Sequence, residues 1–291
     1  MNVPFKLKKI FPSAKTVSLK KLLHLHVNNK IIHKRTNSTG NDPSEKFYDA
    51  EKKDSVIVEN IDRIALIGIN RPERRNAIDK RGNFCSGFDM KELAKSPDEI
   101  NTLMEECLRT KTRPLGPTLK QFEKPIIAAV NGYAVAGGLE LALMCDLRIV
   151  EETAILGMYN RRFDIPMTDG GSVRLPKMIG LSRALDLIIT GRQINGRTAF
   201  DWGLANRLVD TGTALGQAMN LARIIGTLPK TSLLSDRNSV YYSTFESCSF
   251  EDAMQLELRN ANNAICNGTC LKGVKKFVVD GQGRHGSFKV N

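Results

Sequence analysis

Hydrophobic and polar positions change rhythm along this 291-residue chain. Residues 55–60 and 63–70 are two β-branched runs on either side of Asn60-Ile61-Asp62, a pattern that predicts a β-hairpin. The unbroken apolar runs 126–130 and 147–150 are of strand length and predict two buried strands. Between them, residues 139–145 predict an apolar helix entered through Gly137-Gly138. Elsewhere the period is helical. Ile100, Leu103, Met104, Cys107 and Leu108 share one face, followed by a proline-rich break over 113–117 and a short helix up to Phe122. Ala184, Leu185 and Ile188 predict a helix from Leu181 that Gly191 stops, and 214–228 and 252–265 predict two more. In the last, Met254, Leu258, Ala261 and Ile265 form a stripe suited to packing against the body of the protein or a neighbouring subunit. Residues 73–79 read as a loop entering a helix, 91 onward as a polar helix, and 157–174 as a polar, turn-rich loop of the kind that builds sites. A hairpin followed by alternating helices and strands predicts a layered α/β architecture.

The stretch from Asn131 to Asp146 carries the first candidate chemistry. A strand that feeds a glycine turn into a helix leaves the first N–H groups of that helix without intrahelical partners, and they face any anion placed there. Glu140 falls in the same first turn. Together they can polarise a carbonyl and move a proton beside it. A plainer reading stands next to this one: glycines for close backbone packing, and an acid favoured by the helix dipole. A second glycine-bearing turn, Cys85-Ser86-Gly87-Phe88, leads into the polar helix and by itself reads as a connection.

Charge and composition narrow the choices. The formal net charge is +12, but residues 1–41 hold nine basic residues and no acid, leaving +3 on the remainder. The basicity is mostly that of a leader, which argues against nucleic acid as a partner. Acid-free and basic, with Leu19, Leu22, Leu23 and Val27 able to share a helical face, the leader fits a mitochondrial transit peptide, although it is rich in lysine where arginine is usual. No apolar run approaches the roughly 18 residues of a membrane helix. The six cysteines form no C-x-x-C pair and read as reduced, intracellular thiols. Three of the four histidines lie in the leader, leaving His285, so a Ser-His-Asp or histidine-rich metal site has almost no material in the body. Acid–base chemistry falls to carboxylates.

Four pieces, in order, resemble the enoyl-CoA hydratase/isomerase (crotonase) superfamily: NRPERRNA at 70–77, NFCSGFD at 83–89, the stretch from Lys124 to Asp146 with its VNGY and GGLE, and GLSRA at 180–184 continuing through 191–209. The resemblance runs from about Ser55 to the tail. It implies an α/β fold of the ClpP/crotonase type: repeated ββα units forming two roughly perpendicular sheets wrapped by helices, then a C-terminal helical region for trimer contacts. The corresponding divisions are 1–41 for the leader, 55–210 for the crotonase-like core and 211–291 for the helical region. The resemblance further implies an acyl-CoA thioester substrate, with no cofactor apart from the coenzyme A within it. The thioester oxygen would sit between the N–H groups of Phe88 and Gly137, with Glu140 as acid and base. Arg75, Ala77, Ser86, Asp89 and Met90 match positions along the pantetheine and adenine path. Gly138 and Asn160 fall in the substrate site, and Lys275 or Lys276 in reach of a coenzyme A phosphate, unless these lysines merely form a solvated helix face.

Three departures qualify that implication. The superfamily places a helix and a strand between the Asn76-Ala77 segment and the Phe88 turn, and here only a few residues after Lys80 intervene. Losing that strand is expected to strip pairing from a neighbour and open the core. The second water-activating glutamate of hydratases falls on Asn160, whose amide is no base. Asp169 lies near a different second acid used by some members, or serves as a turn former before Gly170-Gly171. Arg161-Arg162 either recognises a carboxylate on the acyl group or faces solvent. The expected activity is that of an enoyl-CoA hydratase. The alternatives are an isomerase or other enolate chemistry with one base, and an inactive or folding-impaired isoform that only binds coenzyme A. A homotrimer or hexamer in the mitochondrial matrix, without nucleic-acid partners or a membrane span, completes the expectation.

Overall fold

The computed structural model describes residues 56–69, 83–90, 94 and 97–281. Two β-branched runs form the expected hairpin, β1 (Val56–Ile61) and β2 (Ile64–Ile69), paired antiparallel with Ile61 opposite Ile64. Asp62 takes a left-handed φ of 54° at the turn, a conformation aspartate tolerates better than most residues. The amphipathic run becomes α1 (Pro97–Thr110), with Cys107 buried. The helix expected up to Phe122 is only a single 3₁₀ turn, Pro117–Leu119.

Two three-stranded sheets follow. One has the order β3-β5-β8, all parallel: β3 (Ile127–Val130), β5 (Leu147–Glu151) and β8 (Arg207–Val209). The other has the order β4-β6-β7: β4 (Tyr133–Val135) runs parallel to β6 (Ile155–Gly157), and β7 (Gln193–Asn195) runs antiparallel to β6. Between the sheets in sequence runs α2 (Gly137–Met144), apolar nearly all round, with Leu139 and Leu143 sealed in the core beside Val130, Leu156 and Leu187. Each such leucine contributes about 1.5–3 kcal/mol by leaving water, so α2 is a pillar of the core as well as a site element. Its far end is held by Arg148, buried on β5, which donates to the Cys145 carbonyl at 2.6 Å and the Leu204 carbonyl at 2.7 Å. A cation at a helix C-terminus also complements the dipole.

The segment expected to be one long loop is more ordered. It holds a 3₁₀ turn, Tyr159–Phe163, and then α3 (Gly171–Ile179), which begins at the second glycine of the Asp169-Gly170-Gly171 turn. After it come α4 (Leu181–Thr190), stopped at Gly191 in the left-handed region, and α5 (Gly196–Asp201), capped by the Asn195 side chain. The chain divides into two units, residues 1–121 with 126–218, and 122–125 with 219–291. Helix α6 (Ala214–Thr227) leads into the second unit, which contains α7 (Lys230–Phe245), α8 (Phe250–Cys266) and α9 (Thr269–Val278). The stripe on α8 stays exposed: Met254, Leu258 and Ile265 all face solvent in this chain. All six cysteines are free, and burial pushes the Cys145 thiol up to about 12, so it packs as a small hydrophobe. Among the described residues no helix is long and apolar enough to cross a membrane.

Candidate active site

Residues 83–85 lie alongside β4. Phe84 N–H donates to the Asn131 carbonyl and Cys85 N–H to the Tyr133 carbonyl, both at 2.8 Å, while Val135 N–H returns to the Cys85 carbonyl at 3.0 Å. The Asn83 side chain accepts from Tyr133 N–H, so the segment is seated as a short parallel addition to β4. Among the described residues, the hairpin pairs only with itself and β3 forms a ladder with β5 alone. Residues 83–85 lead directly into the Phe88 turn and anchor it on β4.

Three glycines then let two backbone turns meet. Gly87 has a φ of +87°, and a Cβ there would lie 2.9 Å from Gly137 N. A Cβ on Gly138 would lie 2.0 Å from the Cys85 carbonyl oxygen, an impossible contact. Gly138 thus seats the opposing turn on α2. Gly137 opens α2 and comes within van der Waals range of Gly87, so the N–H groups of Gly137 and of Phe88, next in sequence to Gly87, belong to apposed turns. Ala136, just before, adopts a φ of 52° and ψ of −128°. Such a conformation costs a non-glycine residue on the order of 1–3 kcal/mol, and strain of this kind is stored where geometry matters.

Glu140 is fully buried in the first turn of α2. Its Oε1 accepts from Gly171 N–H at 2.9 Å and from Asp169 N–H at 3.0 Å. Its Oε2 is buried and has no hydrogen-bond partner. Desolvation raises the Glu140 pKa above the ordinary carboxylate range, and the nearby Asp169 charge adds to the rise; the two N–H donors and Arg174 oppose it. The glycine turn explains how the carboxylate is approached so closely. A Cβ on Gly171 would stand 2.8 Å from Met167 Sδ, 3.0 Å from Met158 Cε and 3.1 Å from Glu140 Oε1. The tips of Met167 and Met158 thus pack beside the glycine whose N–H holds the carboxylate.

Asp169 is brought next to Glu140, as its position in sequence suggested, but its own oxygens are occupied. Oδ1 accepts from Leu115 N–H at 3.0 Å and Thr118 Oγ1 at 2.6 Å, and Oδ2 from Thr168 Oγ1 at 2.7 Å. Asn160 is buried on the 3₁₀ turn with its Oδ1 unpaired. Ser86, Phe88 and Asp89 are half-buried in the apposed turn, and Met90 is exposed and helical. Lys275 is exposed on α9 of the second unit. Arg75 and Ala77 lie outside the described residues. Arg161 pairs with Asp164 on the surface, whereas Arg162 stacks on Tyr159 and donates to the Gly191 carbonyl. Among the described residues no group of His, Cys, Asp and Glu side chains is placed to hold a metal ion. Sequence reasoning missed Leu115 and Thr118, which come from more than 50 residues away, and Met158, Met167 and Arg174, which lie nearer to Asp169 in sequence but form no motif with it.

The family model described as "Enoyl-CoA hydratase/isomerase" matches residues 80–282. A probable enoyl-CoA hydratase of Mycobacterium leprae is 30% identical over 254 residues, covering 78% of this chain and 96% of that protein. The mouse protein named enoyl-CoA hydratase domain-containing protein 2, mitochondrial, is 38% identical over 150 residues, 50% of this chain and 49% of its own length. The match thus spans about half of the mouse relative and nearly all of the mycobacterial one. Among solved structures, an enoyl-CoA hydratase from Mycobacterium tuberculosis H37Rv aligns with a TM-score of 0.66 at 27% identity, over 77% of this chain and 95% of that one.

Proposed function

Because this chain belongs to the enoyl-CoA hydratase/isomerase family, we propose that it acts on an acyl-CoA thioester by proton transfer beside the thioester carbonyl, with Glu140 as the sole carboxylate acid and base. The observation that carries this reading is the division of labour within one side chain. Oε1 is held by two N–H groups, while Oε2 is buried and unpartnered. A carboxylate fixed by one oxygen with the other free is set up to take and return a proton, and a raised pKa brings it towards the range where both steps are efficient. The apposition of the Phe88 and Gly137 turns supports the view that their N–H groups together accept the enolate-like oxygen. Ser86, Asp89, Met90 and Gly138, with Arg75 and Ala77, are the coenzyme A-binding set on this reading.

Shift of a double bond needs one base, which removes a proton from one carbon and returns it to another. Asp169 spends both oxygens on three donors, and Asn160 is an amide. The site therefore favours isomerisation. Hydration is the second reading, supported by the buried, unpaired Asn160 Oδ1, which can accept a hydrogen bond from a water that Glu140 activates. The two are separated by mass after incubation of the purified chain with short 3-enoyl-CoA and 2-enoyl-CoA. Isomerisation leaves mass unchanged and hydration adds one water. Glu140→Gln is expected to lower turnover by about 10²- to 10⁴-fold; turnover that survives this change sinks the assignment. Action in the mitochondrial matrix is consistent with the basic leader and with the mitochondrial relatives. Assembly into three or six copies would cover Met254, Leu258 and Ile265, and the mass in solution tests it.

A further inference from the structure

Asp169 makes more ties than any turn former requires. Its main chain and its side chain hold two different walls of the site. The N–H donates to Glu140 Oε1. The carboxylate reaches the other way, accepting from Leu115 N–H and Thr118 Oγ1, residues 54 and 51 positions away in sequence. Arg174 doubles the link, donating through Nη1 to the Asp169 carbonyl at 3.0 Å and through Nη2 to the Thr118 carbonyl. Gly170 makes room for that guanidinium, since a Cβ there would stand 2.1 Å from Arg174 Nη1. The segment held in this way is the one that covers the oxyanion turn. A Cβ on Gly137 would lie 3.1 Å from Leu115 Cδ1, so the Leu115 side chain rests directly on the residue whose N–H points at the substrate oxygen on the reading above. Thr118 and Asp169 are each about 1% exposed, so neither is tethered by solvent.

We propose that Asp169 is a positioning residue that fixes the Leu115–Thr118 segment over Gly137 while it holds Glu140, so that base and oxyanion donor stay in register. The proposal rests on the proton-transfer reading for its link to turnover, and on hydrogen bonds alone for its structural part. Without the carboxylate, the 115–118 segment keeps its Arg174 tie but loses those made by Leu115 N–H and the Thr118 hydroxyl, and its wall on Gly137 loosens. A displacement of about 1 Å at a reacting centre costs up to about a hundredfold in rate. Asparagine keeps one acceptor for Leu115 and Thr118, and its amide can donate to the Thr168 hydroxyl instead of accepting from it.

The test compares Asp169→Ala, Asp169→Asn and Thr118→Val in the full chain, by steady-state kinetics across pH and by amide hydrogen exchange of residues 115–120. Asp169→Ala is expected to lower kcat by about tenfold to a hundredfold with KM changed less, and to speed exchange at Leu115. Asp169→Asn should recover most of the lost kcat with the shape of the pH profile unchanged, and Thr118→Val should give a smaller loss. If Asp169→Ala does not fold, the other two variants carry the same comparison. An Asp169→Asn variant as inactive as Asp169→Ala, with one limb of the profile gone, overturns the proposal in favour of a second catalytic acid. Faster exchange with unchanged kcat, or neither change, overturns it in favour of a merely structural turn. If the unaltered chain turns over no enoyl-CoA, the proton-transfer reading fails, and the exchange rates alone decide whether Asp169 holds the segment.

Discussion

The two backbone turns that meet at Gly137 are held by different means. The Glu140 side is cross-braced by side chains from three segments: Asp169 and Thr168, Thr118, and Arg174, with N–H groups of Gly171 and Leu115 completing the network. The Phe88 side is seated on β4 largely through its main chain, with the Cys85 thiol accepting from Gly87 N–H. It rests on three backbone hydrogen bonds to β4 and its approach, the Asn83 amide, and the absence of side chains at Gly87 and Gly138. The lesson is that a network of polar side chains yields by degrees, so that a lost member costs register and rate while the others still hold the fold, whereas close backbone contact has no slack. Among the described residues the hairpin pairs only with itself, and residues 83–85 seat the turn against β4.

The sharpest way to break the contrast is Gly138→Ala. The added Cβ meets the Cys85 carbonyl oxygen at 2.0 Å, a backbone atom that cannot swing away. Overpacking of this kind costs about 3 kcal/mol or more, and the turn bearing Phe88 must leave α2. Chemical denaturation should show a large fall in the unfolding midpoint, with turnover lost in whatever remains folded. Gly171→Ala is the matched change on the other side. Its Cβ meets the tips of Met167, Met158 and Glu140, which can shift. About 1–2 kcal/mol is expected, with a larger effect on kcat than on stability because Glu140 is among the groups displaced. Equal destabilisation by the two alanines would remove the distinction between the turns.

What could be read beforehand divides along the same line. The hairpin, β3, α2 and β5 announce themselves through continuous apolar or β-branched runs, and the close glycines at 137–138 mark the turn. Strands β4, β6, β7 and β8 have three residues each, too few for any period to show. Helix α3 is hidden by Gly170, Gly171 and an internal Pro176, all of which read as turn signals although Gly170 here serves as the helix cap. Helix α7 mixes serine, threonine and tyrosine around its circumference and shows no stripe. Glu140, Gly137 and the Phe88 turn were legible because a motif concentrates them in short stretches. The bracing of Asp169 was not, because Leu115 and Thr118 lie more than 50 residues away and a hydrogen bond to a main-chain N–H leaves no trace in the identity of the donor residue.

Ala136→Gly probes the strain between the turns. Glycine reaches a φ of 52° without the steric cost that alanine bears, but it also enlarges the unfolded ensemble by about 0.4–1 kcal/mol. Relief of about 1–3 kcal/mol outweighs that term in most of its range. A modest rise in thermal midpoint is expected, together with lower kcat if the rigid turn helps to aim Gly137 N–H. A clear fall in midpoint would mean that the Ala136 methyl, packed beside Gly87, matters more than the backbone conformation.

The smallest effect concerns pH and reads the braced side directly. Burial raises the Glu140 pKa in the folded protein above its value in the unfolded chain, with Asp169 adding to the rise and the Gly171 and Asp169 N–H groups and Arg174 opposing it. Between those two values the folded state binds more protons than the unfolded one, so stability must fall as pH increases. The contribution is fully present below the unfolded carboxylate pKa and is lost as pH rises through the folded one, with no further change above it. Glutamine keeps an acceptor for both N–H groups and cannot ionise. Glu140→Gln should therefore gain stability relative to the unaltered chain across that window and hold the gain at neutral pH, while the two converge in acid. Parallel denaturation curves at about pH 4 and pH 8 measure the difference. An equal gap at both would mean that the N–H donors and Arg174 have cancelled the cost of burying the charge, and that the free Oε2 is already an anion poised for the substrate.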